Sequence, residues 1–144
     1  MGKITLQGRR VLVTGGNGYL GSCLVRALGV AGADVYVIDQ KLLGNGNEFQ
    51  VDISKLDEVQ RALEQIRPQF VFHLAALLFR ERDFTSHEKI VAVNYTGTMN
   101  LLLALKDLGC CDNFIFTSSS EIYVGNKSPF TEDMLQHPVS PCSM

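Results

Sequence analysis

Short apolar segments alternate along the chain with longer segments in which apolar residues recur every three or four positions. The short segments are typical of buried strands, and the longer ones are typical of helices that pack one face on a sheet. Their alternation predicts an α/β fold, a doubly wound parallel sheet with helices on both faces that ends after about five strands. The predicted strands are Arg10–Thr14, Asp34–Ile38, Phe49–Asp52, Phe70–Leu74 and Asn113–Thr117.

The helices between these strands carry recognisable end signals. Ser54 is predicted to cap the second helix, with Asp57 three residues on as its capping-box partner. Pro68 ends that helix, because proline cannot continue a helical hydrogen-bond ladder. A long helix is predicted from about Ser86 to Leu108. With no internal repeat or linker, we expect one domain over residues 1–144.

Composition narrows the function mainly by exclusion. The net charge of the 144 residues is −2, which gives no electrostatic reason to expect nucleic acid or an anionic membrane as a partner. The apolar runs are far shorter than the roughly 20 residues of a membrane span, and the N-terminus lacks the apolar core of a signal peptide. None of the four cysteines forms a CxxC pair, so we expect no metal site. We therefore expect a cytoplasmic protein.

A dense glycine turn in the stretch VLVTGGNGYLG links the first strand to the first helix. Gly15 allows a sharp turn off the strand, Gly18 leaves the approach of phosphates open, and Gly21 lets the helix pack close to the sheet. Gly16, Gly18 and Gly21 also fit the GxGxxG spacing of dinucleotide-binding turns. The alternative interpretation is a glycine-rich loop that binds no ligand. The flanking strand and helix favour a pyrophosphate cradle of the Rossmann type, with the anion at the helix N-terminus.

The end of the second strand supplies an acidic residue. Asp39 follows Gly21 by 18 residues. A carboxylate there can accept hydrogen bonds from the adenosine ribose hydroxyls and would repel a 2′-phosphate. This spacing favours NAD over NADP as the cofactor.

Small or hydrogen-bonding residues also follow the other predicted strands. Asp52 and Ile53 follow the third strand, Leu74–Ala76 close the fourth, and Ser118–Glu121 follow the fifth. Ligands of an open α/β sheet bind beyond the carboxyl ends of its strands. These residues therefore predict a ligand site at that edge.

Several blocks in the same order resemble the extended short-chain dehydrogenase/reductase family, in its NAD-dependent epimerase/dehydratase branch that acts on nucleotide sugars. TGGNGYLG at Thr14 is similar to the family's glycine fingerprint, and HLAA at His73 to the strand end that flanks its cofactor. VNYTGTMNLL at Val93 and FTSSSEIY at Phe116 are similar to its central helix and its active-site serine strand.

The resemblance implies roles for individual residues. Tyr19 and Leu20 would offer backbone N–H groups to the pyrophosphate, and Asn94 would lie below the nicotinamide. Ser119 would hydrogen-bond the sugar oxygen that is oxidised, and Glu121 matches a catalytic glutamate of the dehydratase and decarboxylase branches. The implied cofactor-binding residues are Gly15, Gly18, Tyr19, Leu20, Gly21, Asp39, Asp52, Ile53, Leu74, Ala75, Ala76, Asn94 and Ser118. His73 and Tyr123 are interpreted as packing residues.

The implied activity is transient oxidation of a sugar hydroxyl by NAD, followed by return of the hydride. This chain departs from the family's catalytic Tyr-x-x-x-Lys pair. Cys142 stands where the family has tyrosine, and the lysine would fall two positions beyond Met144. We therefore expect the chain to be the cofactor-binding N-terminal portion of such an enzyme, without its active-site helix and substrate lobe, and inactive alone.

Alternatives remain open at this stage. The chain could be a non-catalytic NAD-binding or redox-sensing module, a steroid or small-alcohol dehydrogenase of the same family, or a defunct remnant. The expected partner is a small molecule, and the helix from Ser86 to Leu108 is a candidate surface for a homodimer.

Overall fold

The computed structural model describes residues 5–44, 46–78, 84–123 and 125–137. Within these ranges, five parallel strands form one sheet in the order β3-β2-β1-β4-β5. The strands are β1 (Arg10–Thr14), β2 (Asp34–Asp39), β3 (Glu48–Gln50), β4 (Phe70–His73) and β5 (Asn113–Phe116). The predicted α/β fold with a parallel sheet is confirmed. β3 lies slightly earlier than predicted, so that Asp52 lies beyond its end.

The helices are α1 (Tyr19–Val30), α2 (Leu56–Ile66), α3 (Phe84–Ile90) and α4 (Gly97–Leu108). A π-helical segment, Val91–Thr96, joins α3 to α4, so the predicted long helix is present with a wider turn in its middle. A short 3₁₀ helix, Ser120–Tyr123, follows β5. Gly109 ends α4 in the left-handed conformation, as glycine commonly does.

Each face of the sheet is covered by helices, which gives two apolar cores. On one face Leu12 and Val71 pack with α2 and α4, where Leu63 and Leu101 are fully buried. On the other face the neighbouring strand residues pack against α1, including its buried Leu28. Because successive strand side chains point to opposite faces, β1 serves both cores and all its apolar residues are buried.

The edge strand β5 is far less covered than β1. Ile115 and Phe116 are exposed, Phe116 to 57%. The inner face of the strand still contributes Phe114 to the core shared with α2 and α4. The centre of the sheet is thus firmly buried, whereas its β5 edge presents apolar surface.

The predicted capping box of α2 is wrong. The Ser54 hydroxyl donates to the Asp52 carboxylate at 2.7 Å, and Lys55 precedes the helix without a side-chain cap. Because α2 begins at Leu56 with Lys55 in the N-cap position, Ser54 lies one residue too early for its oxygen to accept an N–H of the first turn. Asp57 instead pairs with Arg61 one turn further on.

Candidate functional site

A cleft of about 410 Å³ opens at the carboxyl ends of β1, β2 and β4. Its walls come from the turns that follow these strands, from the segment after β3 and from the π-helical segment. The lining residues are Gly15, Asn17, Gly18, Ile38, Asp39, Gln40, Lys41, Leu43, Val51, Ile53, Leu74, Ala75, Ala76, Leu77 and Val93. Seven of the residues predicted to bind a cofactor, Gly15, Gly18, Asp39, Ile53 and Leu74 to Ala76, are brought together here.

The glycine turn forms one wall and depends on the absence of side chains. Gly15 has φ of +70°, and a Cβ atom there would lie 2.9 Å from the backbone nitrogen of Ala75. A Cβ atom on Gly21 would lie 2.1 Å from the Gly15 carbonyl oxygen. Gly21 therefore lets α1 pack against the turn itself, whereas the sequence suggested packing against the sheet.

The N-terminus of α1 is open to a ligand. Gly18 precedes the helix without a side-chain cap, and the first turn carries no acidic residue. The Ser22 N–H donates to the Gly18 carbonyl, so the N–H groups of Tyr19 and Leu20 precede the helical ladder. Tyr19 is 93% exposed and does not line the cleft. Only backbone groups of these two predicted residues are therefore suited to an anion.

Asp39 is fixed beside the glycine turn by backbone donors. Its carboxylate accepts the N–H of Asn17 and the N–H of Lys41, each at 3.1 Å. The Asn17 side chain in turn donates to the Lys41 carbonyl at 2.6 Å. Asn17 thus ties the glycine turn to the end of β2. Sequence reasoning did not single it out, although it stands inside the glycine motif.

The segment after β3 separates two neighbouring predicted residues. Ile53 lines the cleft, and the buried Asn100 donates to its carbonyl at 2.9 Å. Asp52 faces an adjoining polar groove and accepts from the N–H and hydroxyl of Ser54. Its role in cofactor binding stays a prediction.

The loop after β4 is held by an amide side chain from the π-helical segment. Asn94 accepts the Leu77 N–H at 2.7 Å and donates to the Leu77 carbonyl at 3.0 Å. Asn94 does not line the cleft itself but fixes a residue that does. Asparagine is an unfavourable residue within a helix, and this pair of bonds supplies the reason for the presence of Asn94.

His73 lies beneath the same loop and is only 3% exposed. Its ring packs on Phe114 and Phe116 with centroids 5.8 and 5.9 Å away, in line with its interpretation as a packing residue. Both ring nitrogens are also bonded, Nδ1 to the Thr14 hydroxyl at 2.6 Å and Nε2 to the Thr98 hydroxyl at 2.8 Å. Burial lowers the pKa of His73 to about 4, because desolvation disfavours the charged ring.

The predicted catalytic residues lie outside the cleft, just beyond the end of β5. Ser118 is exposed, and the Ser119 hydroxyl accepts the Glu121 N–H at 3.2 Å. Glu121 is an exposed residue of the 3₁₀ helix. The roles of Ser118, Ser119 and Glu121 therefore stay predictions. Tyr123 stacks on Phe130 with ring centroids 5.7 Å apart, and Cys142 lies outside the described residues.

The described part of the chain contains neither a metal centre nor a membrane-spanning helix. In those residues, histidine, cysteine and acidic side chains form no group of three or more that could hold a metal ion. Within the same ranges, the helices are too short or too polar to cross a membrane.

The fold and the cleft define a dinucleotide-binding domain of the Rossmann type. The model of the NAD dependent epimerase/dehydratase family matches residues 11–144, and the chain belongs to this family.

Individual relatives are similar over most of this chain. UDP-glucose 4-epimerase of Lactobacillus helveticus is 33% identical over 140 residues, which are 92% of this chain and 42% of the relative. UDP-N-acetyl-alpha-D-glucosaminuronate decarboxylase of Bacillus cytotoxicus is 33% identical over 133 residues, 87% of this chain and 41% of the relative. This chain thus spans less than half the length of these curated relatives.

Solved structures give the same picture. UDP-glucose 4-epimerase of Thermus thermophilus, crystallised in complex with NAD, superposes with a TM-score of 0.80 and 32% identity. The match covers 93% of this chain and 46% of that one.

Proposed function

We propose that this chain binds NAD and forms the cofactor-binding portion of a nucleotide-sugar epimerase or dehydratase. The observation that carries the proposal is that an uncapped helix N-terminus and a fixed carboxylate, Asp39, meet at one cleft. Its support also includes the family membership and the NAD complex of the Thermus thermophilus relative.

The residues of the cleft suit the parts of a dinucleotide. The N–H groups of Tyr19 and Leu20 would hold the pyrophosphate, and Asp39 would accept hydrogen bonds from the adenosine ribose. Ala75 and Ala76 leave room for flat rings along the middle of the cleft. When bound, NAD supplies a hydride acceptor that returns the hydride after the sugar has reacted.

Calorimetric titration of the chain with NAD tests the proposal. We expect saturable binding at least about tenfold tighter than that of NADP, a difference of about 1.4 kcal/mol. Asp39→Asn should weaken NAD binding and reduce the preference for NAD over NADP, because the 2′-phosphate of NADP no longer meets a full negative charge. Asp57→Asn is the matched control, since Asp57 pairs with Arg61 on α2 outside the cleft. Lack of saturation at millimolar NAD contradicts the proposal.

The catalytic part of the proposal concerns the segment after β5. Ser119 would hydrogen-bond the sugar oxygen, and Glu121 favours dehydration or decarboxylation over simple epimerisation. Because Cys142 stands where the family has its catalytic tyrosine, we infer that the 144-residue chain has negligible turnover alone. Incubation with NAD and UDP-glucose or dTDP-glucose, followed by product analysis, tests this inference. Product formed well above a no-protein blank contradicts it.

The helical stripe Val91, Tyr95, Met99 and Leu102 suggests a homodimer surface. All four side chains are exposed, Tyr95 to 63%, and they recur every three or four positions. Their exposure is a reason to expect a partner surface. Sedimentation of the chain and of a Tyr95→Glu variant tests the dimer. A wild-type chain that stays monomeric up to about 1 mM, where even a weak dimer would form, would contradict it.

A further inference from the structure

The hydrogen bonds around His73 have one consistent direction. The Thr98 hydroxyl donates to the Asn94 carbonyl at 2.6 Å, and a hydroxyl has one proton to give. The Thr98 oxygen therefore accepts from His73 at 2.8 Å, which places the ring proton on Nε2. Nδ1 must then accept from the Thr14 hydroxyl at 2.6 Å. The Thr14 oxygen completes the sequence by accepting the Ala75 N–H at 3.1 Å.

Both ends of this sequence reach the same loop of the cleft. One end is the Ala75 N–H. The other is Asn94, whose side chain makes the two bonds to the Leu77 backbone. The loop from Ala75 to Leu77 is therefore held at both ends, at Ala75 and at Leu77, by one connected set of hydrogen bonds. We call Thr14, His73, Ala75, Asn94 and Thr98 the His73 network.

A residue that only filled space would not need this arrangement. The adjacent β4 residues Phe70 and Val71 are apolar and buried, so an apolar side chain could occupy position 73. A buried imidazole is costly unless both nitrogens are bonded. Here Thr14 from β1 and Thr98 from α4 satisfy one nitrogen each.

We propose that His73 is a positioning residue: as the Nε2–H tautomer, it couples the helix at Thr98 to the Ala75–Leu77 loop and so holds the wall of the cleft in its binding geometry. The effect on cofactor affinity rests on the proposed NAD function. The coupling itself concerns only the protein.

Thr98→Val tests the coupling without touching the cleft. The substitution keeps the side-chain shape but removes the acceptor of Nε2–H, so the ring must move its proton to Nδ1 or leave a buried donor unbonded. A proton on Nδ1 would donate to the Thr14 oxygen, so the Thr14 hydroxyl would lose Nδ1 as its acceptor and would have to reorient beside the Ala75 N–H. We expect altered ring ¹⁵N shifts, faster hydrogen exchange at Ala75, and NAD binding weakened about tenfold.

Two further variants make the result specific. Thr98→Ser restores a hydroxyl and should recover all three readouts. Thr96→Val is the matched control, because Thr96 is an exposed residue of the same helical run and does not line the cleft. It should leave the ring shifts, the Ala75 exchange and the NAD affinity unchanged.

The outcomes separate the two proposals. If Thr98→Val lowers stability but leaves the ring tautomer and the Ala75 exchange as in the wild type, His73 is a packing residue only and the coupling is overturned. If the wild type fails to bind NAD, the proposed function fails, and the ring shifts and Ala75 exchange still decide the coupling. A wild-type ring protonated on Nδ1 also overturns it.

Discussion

The carboxyl edge of the sheet contains two regions that are held in different ways. The turns after β1 and β4 are joined to each other and to the helices by buried or half-buried hydrogen bonds, such as those of Thr14 and Asn94. The segment after β5 is mostly exposed, and its Ser119 hydroxyl bonds to the backbone only two residues away. The first region is therefore preorganised for a ligand, whereas the geometry of the second is set by local turns.

The largest expected effect comes from filling the space between α1 and the glycine turn. Gly21→Ala places a methyl group against the Gly15 carbonyl, and overpacking of this kind costs about 3 kcal/mol at its upper end. We expect NAD affinity to fall about 100-fold or more, about 2.7 kcal/mol, by calorimetry.

Gly29→Ala in the same helix is the control for that substitution. A Cβ atom at Gly29 meets nothing within 4 Å, so alanine should stabilise α1 by up to about 1 kcal/mol and preserve NAD binding. Equal losses of NAD affinity in the two variants would mean that the close approach of Gly21 to the glycine turn is unimportant for NAD binding.

Acidification should weaken the centre of the sheet more than the segment after β5. Burial lowers the pKa of His73 to about 4 from its usual 6.5. Below about pH 6.5 the His73 ring of the unfolded chain takes up a proton, whereas the buried ring of the folded chain stays neutral until about pH 4. Protonation therefore favours the unfolded chain, and the free energy of unfolding falls as the pH drops from 6.5 toward 4. The difference between the two pKa values corresponds to roughly 3 kcal/mol.

Urea unfolding at several pH values measures this loss, with His73→Gln as the comparison. The groups that face the ring from β1, α4 and β5 are Thr14, Thr98, Phe114 and Phe116, and none is charged. The wild-type free energy of unfolding should therefore fall more steeply than that of the variant between pH 6.5 and 4. Parallel curves would assign the acid sensitivity to other groups.

A smaller effect is expected from removing the hydrogen bond that Asn100 donates to the segment after β3. Asn100→Leu removes the donor to the Ile53 carbonyl, and an unsatisfied buried carbonyl costs about 1–3 kcal/mol. We expect a loss of stability in this range and NAD binding a few fold weaker, by thermal unfolding and titration. Unchanged stability would show that water replaces the amide.

The smallest effect is expected after β5. Ser119→Ala removes an exposed local hydrogen bond, so the free energy of unfolding should change by no more than about 0.5 kcal/mol and NAD affinity should stay the same. A clear loss of NAD affinity would place Ser119 in the cofactor site and erase the contrast between the two regions.

The sequence predicted what depends on local pattern. Buried parallel strands are nearly all apolar, so β1 and β4 were evident, and glycine spacing indicated the turn between β1 and α1. The residues that the sequence missed, such as Thr98 and Asn100, act on partners 25 and 47 positions away. Both residues stand inside the motif VNYTGTMNLL, but a single sequence does not show that their side chains reach His73 and Ile53.

The wrong prediction has a similar cause. Ser54 and Asp57 have the spacing of a capping box, but α2 begins one residue later than that box requires, and the serine hydroxyl donates to Asp52. Local spacing identifies a possible partner without ranking its competitors. Asn94 is the opposite case, since its poor helix propensity signalled a role that the structure explains through Leu77.

The π-helical segment has a consequence for how this chain can tolerate insertions and deletions. A π turn holds one residue more than an α turn and is less favourable, so removing Tyr95, which lies between Asn94 and Asn100, would let α3 and α4 merge into a regular helix. The shortened helix would rotate Asn94 relative to Asn100, and the two amides could no longer reach Leu77 and Ile53 together. A deletion that makes the helix more regular would thus open the cleft. The extra residue of the π-helical segment is therefore needed to keep the wall of the cleft in place.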